Sequence, residues 1–538
     1  MIRTTPLLCS LACITACNLD LAAAEQEYLE LSASGSSTGG LGGDAETSTG
    51  NEPVATVTSA TPPDDDLPGE DADPSGPQIL SFTASPDNVP EAGPVVVTVE
   101  HTPDVVEVML FDEYNGKTEH LADLAPGEPW TFAITSEADF EGTHELHAIV
   151  IDDEGRWDEA TTVVEADLPP AGSPIWVNEG QDDDEPYFKL GLAAAAVDDG
   201  VIVAGRDLNA GNGYSFVRRH AGDSGDVEWT YKTSANVVVS DVELTEDGNI
   251  VVVGSIISNS ITRAWVHMLD AEGAPVWDSP KEWLDNSEAT AVAVTADGDI
   301  YVAGNLTVNN LHSDVFVWQH PANAMPTWAT WDSDEAPVPD DRAHSILVST
   351  DGKVFVGGAS RFDVPNFGDQ PRMSVTEYSD ASLTLRWADL TENDHESSIL
   401  GLAALDGDIA IAGTRREQPD IPYTFEVRRV RIDDGDEATS TLWTYSDSGV
   451  DDRLAVGIEL DPNGRLAITG TIADNPDKVL TVVLDPDGKL SWSETYQNFA
   501  GGNASASAIA VDPLGYSYFV GTLAVDDGFR TLVGKRNP

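Results

Sequence analysis

Cysteine and basic residues are scarce in this 538-residue chain, and each shortage excludes something. The only cysteines are Cys9, Cys13 and Cys17, so no disulfide can cross-link the rest of the chain. There are 27 Lys and Arg against 94 Asp and Glu, which gives a formal net charge of −67. A surface this acidic repels phosphate backbones and anionic lipid, which excludes nucleic acid as a partner. No apolar run approaches the roughly 18 residues of a membrane-spanning helix.

The N-terminus predicts export and lipid anchoring. Arg3 precedes a short apolar stretch at 6–16, and the following Ile14-Thr15-Ala16-Cys17 resembles a bacterial lipobox. The resemblance implies a lipoprotein signal peptide at 1–16, acylation of Cys17 and a place in the cell envelope. That place is extracytoplasmic, at the outer membrane or cell surface rather than the inner membrane. An ordinary signal peptide cleaved near residues 22–24 is the alternative.

Two further segments come before the repeats. Residues 17–75 are rich in Ser, Gly, Thr, Asp and Pro without apolar periodicity, which predicts a disordered tether after the acylated cysteine. Residues 76–169 contain short alternating, β-branched runs separated by turns such as Asn115-Gly116. This pattern resembles a disulfide-free immunoglobulin-like β-sandwich.

From residue 173 to the end, one pattern recurs seven times. It consists of an alternating apolar run, an Asp-Gly-like turn, a second alternating run and a closing glycine, at intervals of about fifty residues. The closing glycines are Gly205, Gly254, Gly304, Gly358, Gly413, Gly470 and Gly521. All but the last repeat continue to a tryptophan in the predicted fourth strand, at Trp229, Trp277, Trp328, Trp387, Trp443 and Trp492.

The seventh tryptophan, Trp176, lies before the first repeat. We therefore predict that its segment is the outer strand of the last sheet, so that no sheet edge is left open. The repeats resemble those of bacterial seven-bladed β-propellers in secreted and lipid-anchored proteins. The predicted fold class is all-β, with a seven-bladed β-propeller at 173–538 after the sandwich.

The Asp-x-x-Gly-x-x-x-Trp phrase is also similar to the tryptophan-docking repeats of quinoprotein dehydrogenases and of outer-membrane assembly scaffolds. Those dehydrogenases place a vicinal cysteine pair near the quinone, and eight blades are usual. Here seven repeats are counted and no such pair follows Cys17. The tryptophans are therefore interpreted as residues that pack neighbouring sheets, and no cofactor is predicted apart from Ca²⁺.

Acidic loops after the tryptophans are the predicted functional face, because these connections are long and irregular. Their carboxylates suit a hard cation such as Ca²⁺ or a basic partner; solvated acidic loops are the other explanation. The candidate metal ligands are Asp182, Asp183, Asp184, Asp332, Asp334, Asp451 and Asp452. The candidate ligand-binding aromatics are Tyr187 and, within the acidic loops, Trp283 and Trp331.

No pair of carboxylates or nucleophile stands out by spacing, so no catalytic residue is predicted. The favoured function is a non-catalytic, monomeric binding or scaffolding module of the cell envelope, whose partner is an envelope protein or polysaccharide. Contact with the membrane is predicted through the lipid alone. The alternative is a propeller-based polysaccharide hydrolase or lyase that uses loop-face carboxylates for acid–base chemistry.

Overall fold

The computed structural model describes the chain from residue 76 onward, with short gaps. The described ranges are 76–85, 88–89, 93–114, 117–124, 130–134, 142–166, 171–180, 189–208, 214–234, 236–277, 281–308, 312–321, 327–331, 341–349, 351–364, 368–379, 382–389, 396–405, 407–418, 420–431, 440–498, 502–525 and 528–538. Every regular element in these ranges is a strand, which confirms the all-β fold class. None of these residues belongs to a helix with the length and hydropathy needed to cross a bilayer.

The first eight strands form two sheets that share one core. They are β1 (Ile79–Ser85), β2 (Asn88–Val89), β3 (Gly93–His101), β4 (Val105–Tyr114), β5 (Lys117–Leu124), β6 (Trp130–Ile134), β7 (Gly142–Asp152) and β8 (Trp157–Ala166). One sheet has the order β1-β3-β6 and the other β2-β8-β7-β4-β5. Val95 and Val97 of the first sheet pack against Leu110 and Leu146 of the second, so the alternating runs bury one face of each sheet.

The remaining strands form seven four-stranded sheets. Sheet 1 contains β10 (Lys189–Val197), β11 (Gly200–Asp207), β12 (Tyr214–Ala221) and β13 (Val227–Lys232). Sheet 2 contains β14 (Val237–Leu244), β15 (Ile250–Ser258), β16 (Ile261–Leu269) and β17 (Lys281–Asp285). Sheet 3 contains β18 (Ser287–Val294), β19 (Ile300–Val308), β20 (His312–His320) and β21 (Thr327–Trp331). Sheet 4 contains β22 (Arg342–Val348), β23 (Val354–Val364), β24 (Gly368–Ser379) and β25 (Ser382–Ala388). Sheet 5 contains β26 (Glu396–Leu405), β27 (Asp408–Arg416), β28 (Thr424–Arg431) and β29 (Ser440–Asp447). Sheet 6 contains β30 (Asp452–Leu460), β31 (Leu466–Ala473), β32 (Lys478–Leu484) and β33 (Leu490–Tyr496).

Sheet 7 combines both ends of this region. It contains β34 (Ala504–Val511), β35 (Ser517–Val525) and β36 (Gly528–Arg536), with β9 (Pro174–Asn178) as its fourth strand. β9 pairs antiparallel with β36, and Trp176 lies opposite Lys535. Hydrogen bonds between Gly172, Ser173 and Asn537 extend this pairing to the chain end. The offset position of Trp176 is thus explained, because its strand completes the sheet formed by the last three strands of the chain.

The first strands of the seven sheets contact one another in cyclic order. β10 contacts β14, each following first strand contacts the next, and β34 of sheet 7 contacts β10 of sheet 1. Apolar side chains fill the spaces between neighbouring sheets; Ile202 of sheet 1, for example, belongs to the same buried cluster as Val252 of sheet 2. We refer to these seven strands as the inner strands.

Tryptophans of the fourth strands pack against glycines of the neighbouring sheet. A Cβ on Gly225 would lie only 2.5 Å from the Trp176 ring. The same contact joins Gly273 to Trp229, Gly488 to Trp443 and Gly172 to Trp492, and each glycine has a positive φ. The Trp176 indole N–H also donates to the Gly222 carbonyl at 2.9 Å. These four tryptophans are packing residues, as predicted.

Trp277 departs from the predicted pattern. It precedes the fourth strand of sheet 2 instead of lying within it, since β17 begins only at Lys281. Pro275 makes an isolated bridge to Leu269, and proline has no N–H with which to continue the ladder. The indole of Trp277 instead stacks on His320 of sheet 3 at a centroid distance of 5.7 Å.

Candidate functional site

The structure changes the setting of two of the predicted aromatic ligands. Trp283 and Trp331 were expected in loops, but the backbone of each lies in a fourth strand. Trp283 pairs with Ala264 in β17, and Trp331 pairs with Val315 in β21. The predicted loop position of Trp283 and Trp331 was wrong, because acidic residues lie beside Trp283 within its strand and an acidic run begins directly after Trp331. Their role in ligand binding stays a prediction. Tyr187 lies outside the described residues.

Of the predicted metal ligands, Asp451 and Asp452 are described, and Asp182, Asp183, Asp184, Asp332 and Asp334 lie outside the described residues, as does Cys17. Asp452 belongs to β30, and its Oδ1 accepts a hydrogen bond from the Tyr423 amide at 2.8 Å. Nowhere in the described ranges do three His, Cys, Asp or Glu side chains group so as to hold a metal ion. The Ca²⁺ site therefore stays a prediction.

The closing glycines shape the inner strands. In every sheet the first strand has a β-bulge opposite the closing glycine. A Cβ on any of these glycines would lie between 1.8 and 2.2 Å from a carbonyl oxygen of the inner strand. The glycines are therefore required by a close backbone approach, and the bulge redirects the residues that follow it.

In sheet 2, the residue that directly follows the bulge differs in charge from its counterparts in the other sheets. Six sheets have a small residue there, namely Ala193, Ala291, Ser345, Gly401, Gly457 and Ala508, whereas sheet 2 has Asp241. The Asp241 carboxylate accepts a hydrogen bond from the Val292 amide of sheet 3 at 2.9 Å. Asp241 thereby links two neighbouring inner strands.

Two residues further along, acidic side chains occur in sheets 2 and 6. Glu243 and Glu459 take this position, where the other five sheets have alanine or leucine. Asp241 and Glu243 are half-buried and Glu459 is exposed. The charges of Glu243 and Asp241 act on Glu459, so the three carboxyl groups of these inner strands are close enough to interact.

Burial dominates the titration of these groups. It raises the pKa of Asp241 to about 7 against the opposing effect of its amide hydrogen bonds, and the Glu243 charge adds to the increase. Burial likewise raises the pKa of Glu243 to about 7. For Glu459, burial and then the charges of Glu243 and Asp241 raise the pKa to about 8. A space that holds partly protonated carboxyl groups at neutral pH is suited to polar or cationic groups.

A second feature is a cavity of about 410 Å³ between sheet 7 and sheet 1, which we call the seam cavity. It lies where β9 completes sheet 7. Its polar lining comprises Asn178, Gly180, Arg218, His220, Asp226, Thr230 and Thr531. Arg218 and His220 are 7% and 3% exposed, so a guanidinium and an imidazole are held in the wall by the surrounding protein.

Contacts within the wall fix these groups. The Arg218 guanidinium lies over the Phe216 ring, 4.6 Å from its centroid. The His220 Nδ1 is 2.9 Å from the Gly225 carbonyl, which makes this nitrogen the N–H donor. Asn178 donates from Nδ2 to the same carbonyl and accepts the Gly180 amide on Oδ1. The cavity volume is within the range of about 300–1,000 Å³ typical of small-molecule sites.

Sequence reasoning missed both features. The seven-repeat alignment contained the signal for the inner carboxylates, because Asp241 replaces a small residue at its position. No sequence pattern indicated the seam cavity, because its position depends on the pairing of β9 with β36.

Comparisons with known proteins add little. No family model and no curated protein matches the chain. The β-propeller domain of the Trilobed protease from Pyrococcus furiosus aligns with 65% of this chain and 94% of its own, at 10% identity and a TM-score of 0.40. The polysaccharide lyase Uly1 aligns with 64% of this chain and 90% of its own, at 12% identity and 0.41. A protein of unknown function from Dyadobacter fermentans aligns with 56% and 95%, at 10% identity and 0.38.

Similarity this low carries no argument about activity. The sheets themselves define the class: an all-β protein whose repeated four-stranded sheets have β-propeller character.

Proposed function

We propose that this chain is a lipid-anchored, extracytoplasmic, non-catalytic binding protein built from a tether, an immunoglobulin-like sandwich and a seven-bladed β-propeller. Support for seven blades comes from the seven four-stranded sheets and the cyclic contacts of their inner strands. Support for closure comes from β9, which joins the sheet of the C-terminal strands. The two sheets of residues 79–166, packed over one core, support the sandwich.

The lipid anchor is proposed from Cys17 and the lipobox-like residues before it. Cys17→Ser removes the thiol that would be acylated. We expect the variant to leave the membrane fraction or to accumulate with its signal peptide uncleaved. Fractionation and migration identical to those of the natural protein would refute the anchor.

The binding role rests on the seam cavity. Its walls come mainly from β9, β12, β13 and β36, so paired strands hold most of the lining residues. A buried guanidinium and imidazole in a cavity of about 410 Å³ are the features of a specific small-ligand or side-chain pocket. The partner is an envelope polysaccharide or an envelope protein that inserts a group there.

A substitution that fills the cavity tests this role. Thr230 is exposed, lies in β13 opposite Arg218 and lines the cavity, so Thr230→Trp occupies space without touching the core. We expect at least one component of a solubilised envelope fraction to co-purify with the full-length natural protein and to be lost with Thr230→Trp. Thr230→Val, of nearly equal size, is the matched control and should retain it. The same set of components with all three proteins would contradict binding through the seam cavity.

One observation favours an enzyme as the second candidate. Glu243 and Glu459 have the raised pKa values of general acids and lie near one another between the inner strands. A polysaccharide hydrolase or lyase using this pair would release new chain ends from envelope polysaccharide, and Glu459→Gln would abolish the release. Such activity would replace the binding proposal; its absence in the natural protein would leave the binding role.

A further inference from the structure

Sheet 7 buries a polar pair at a position where the other six sheets have an aliphatic second-strand residue. Ser517 of β35 lies opposite Arg536 of β36, four residues before the closing Gly521. The equivalent pairs are Val201 with His220, Ile250 with Leu269, Ile300 with His320, Val354 with Tyr378, Ile409 with Val430, and Leu466 with Leu484. Apolar packing therefore does not explain why sheet 7 has a serine and an arginine here.

Arg536 is buried at the boundary between sheets 6 and 7. Its side chain is 3% exposed, and its guanidinium lies 5.2 Å from the centroid of the Phe519 ring. That ring in turn contacts Tyr496 of sheet 6, with centroids 5.9 Å apart. One guanidinium nitrogen, Nη1, donates to the Gly172 carbonyl at 2.9 Å. Among the described residues, Nε of Arg536 finds no hydrogen-bond acceptor.

The charge of Arg536 is not neutralised by the protein as that of another buried arginine is. Burial lowers the pKa of the Arg536 guanidinium, and the charge of the exposed Glu494 opposes this shift without overcoming it. Burial also acts to lower the pKa of Arg428, but the charges of Glu426 and Asp389 outweigh it and raise the pKa overall. Arg428 forms ion pairs with both of these carboxylates. A buried charge without such a partner is costly.

Two further donors at this boundary have no acceptor in the described part of the chain. They are Oγ of Ser517, a residue that is 2% exposed, and the buried indole Nε1 of Trp492. Elsewhere the equivalent indole donates to a turn carbonyl, as Trp176, Trp229 and Trp443 do to Gly222, Ala271 and Pro486. Trp492 therefore packs like the other fourth-strand tryptophans but lacks their hydrogen bond.

Gly172 brings the three donor groups to one place. Its carbonyl accepts the hydrogen bond from Arg536, and a Cβ on it would lie 2.6 Å from the Trp492 ring. Ser517 lies directly opposite Arg536. Buried donors are normally satisfied by protein, by ordered water or by an ion. An anion satisfies N–H and O–H donors and also compensates the positive charge, which water does not.

We propose that a small inorganic anion, of which chloride is the common example, binds between the Arg536 guanidinium, the Ser517 hydroxyl and the Trp492 indole N–H. This site goes beyond the binding role proposed above and is separate from the seam cavity, which lies on the other side of sheet 7. Arg536 pairs with Pro174 of β9, so the anion also supports the strand that joins the two ends of this region. Chloride thereby stabilises the fold beyond the screening that every salt supplies.

The first test measures the melting temperature of the full-length protein in sodium chloride and in sodium methanesulfonate at equal ionic strength. The two salts screen the net charge equally, and methanesulfonate is the bulkier monovalent anion. We expect melting at least about 2 °C higher in chloride, with a difference that saturates, because binding to the native state adds RT ln(1 + [L]/Kd) to its stability. Broadening of the chloride line in chlorine NMR is a readout that does not depend on stability.

Arg536→Leu tests the residue itself. Leucine occupies the equivalent position in sheets 2 and 6, as Leu269 and Leu484, so the variant suits a buried core position. We expect it to melt at the same temperature in the two salts and to lose the chloride line broadening. Arg429→Leu is the matched control, because it removes a guanidinium that Asp408 already neutralises. This control should keep the difference between the salts.

Glu494→Gln distinguishes a bound anion from neutralisation of Arg536 by Glu494. Removing this exposed charge should lower the half-saturating chloride concentration by about threefold, since an exposed carboxylate repels the anion only weakly. Equal melting of the natural protein in the two salts overturns the proposal, and so does a salt difference that persists in Arg536→Leu. A salt difference that occurs only in Glu494→Gln also overturns it and identifies Glu494 as the natural partner of Arg536.

Discussion

At the residue scale, glycine serves two different purposes in the repeats. Closing glycines such as Gly254 have no room for a Cβ, which would lie 2.0 Å from the Val238 carbonyl oxygen. Turn glycines such as Gly248 have a φ of +76° and open space around them. The first kind is required by packing and the second by backbone conformation.

This distinction gives a matched pair of substitutions. We expect Gly254→Ala to lower the free energy of unfolding by about 3 kcal/mol or more, because the inner strand must move away from the new methyl group. Gly248→Ala should cost only about 1–2 kcal/mol, the strain of a left-handed alanine. Denaturant unfolding of both variants measures the difference. Equal losses would contradict the close approach at the bulge.

The inner carboxylates make stability depend on pH. Glu459 has a pKa of about 8 in the folded protein, above the ordinary value of 4.5. The folded state therefore binds more protons than the unfolded state between these values, and this group's contribution declines as pH rises from about 4.5 to 8. Glu459→Gln should melt about 2–4 °C above the natural protein at pH 9, with the difference vanishing near pH 4. A constant difference across this range would contradict the raised pKa.

How far residues could be predicted from sequence depended on repetition. The closing glycines were visible because they recur seven times, although the bulge that requires them was not. Asp241 and Glu459 were missed, since an acidic residue is unremarkable in a chain with 94 of them, although alignment of the seven repeats shows that their positions are otherwise mostly small or apolar. The place of Asn178 and Gly180 in the wall of the seam cavity followed only from the pairing of β9 with β36.

At the element scale, β9 is the strand with the largest consequence. It pairs with β36, and its Trp176 packs against Gly225 of sheet 1, so one short strand contacts both sides of the seam. The sequence predicted this strand because Trp176 precedes the first repeat. It misplaced Trp283 and Trp331 in loops because acidic residues lie beside Trp283 and directly after Trp331, and it placed Trp277 in a fourth strand that begins only at Lys281.

Deleting residues 173–180 should therefore destabilise the propeller. The deletion exposes the edge of β36 and leaves Gly225 without its indole, so we expect a lower melting temperature and concentration-dependent aggregation. Deleting residues 18–75, the predicted tether, is the control and should leave melting almost unchanged. If the two deletions behave alike in thermal melting and light scattering, pairing of β9 with β36 does not stabilise the fold.

At the scale of the whole molecule, charge sets the conditions under which the fold is stable. The chain has a formal net charge of −67 and only 27 basic residues. Many of these basic residues already form ion pairs, as Arg465 does with Asp461 and Arg429 with Asp408, so most carboxylates have no cation beside them. Repulsion among the remaining carboxylates acts over a Debye length of about 30 Å at 0.01 M salt but only about 8 Å at 0.15 M. Folding brings these charges together, so repulsion opposes it most at low salt.

We therefore expect the melting temperature of the full-length protein to rise steadily with sodium chloride from 0.01 M upward, because salt screens the repulsion. Calcium chloride and magnesium chloride, titrated against a constant sodium chloride background, separate screening from a specific site. Binding to the native state alone stabilises by RT ln(1 + [L]/Kd), so a Ca²⁺ site at the predicted acidic loops would give a saturable rise at sub-millimolar Ca²⁺ that Mg²⁺ does not reproduce. Equal effects of Ca²⁺ and Mg²⁺ would mean that these loops are solvated and hold no specific Ca²⁺ site. A melting temperature that does not change with sodium chloride would contradict the charge repulsion itself.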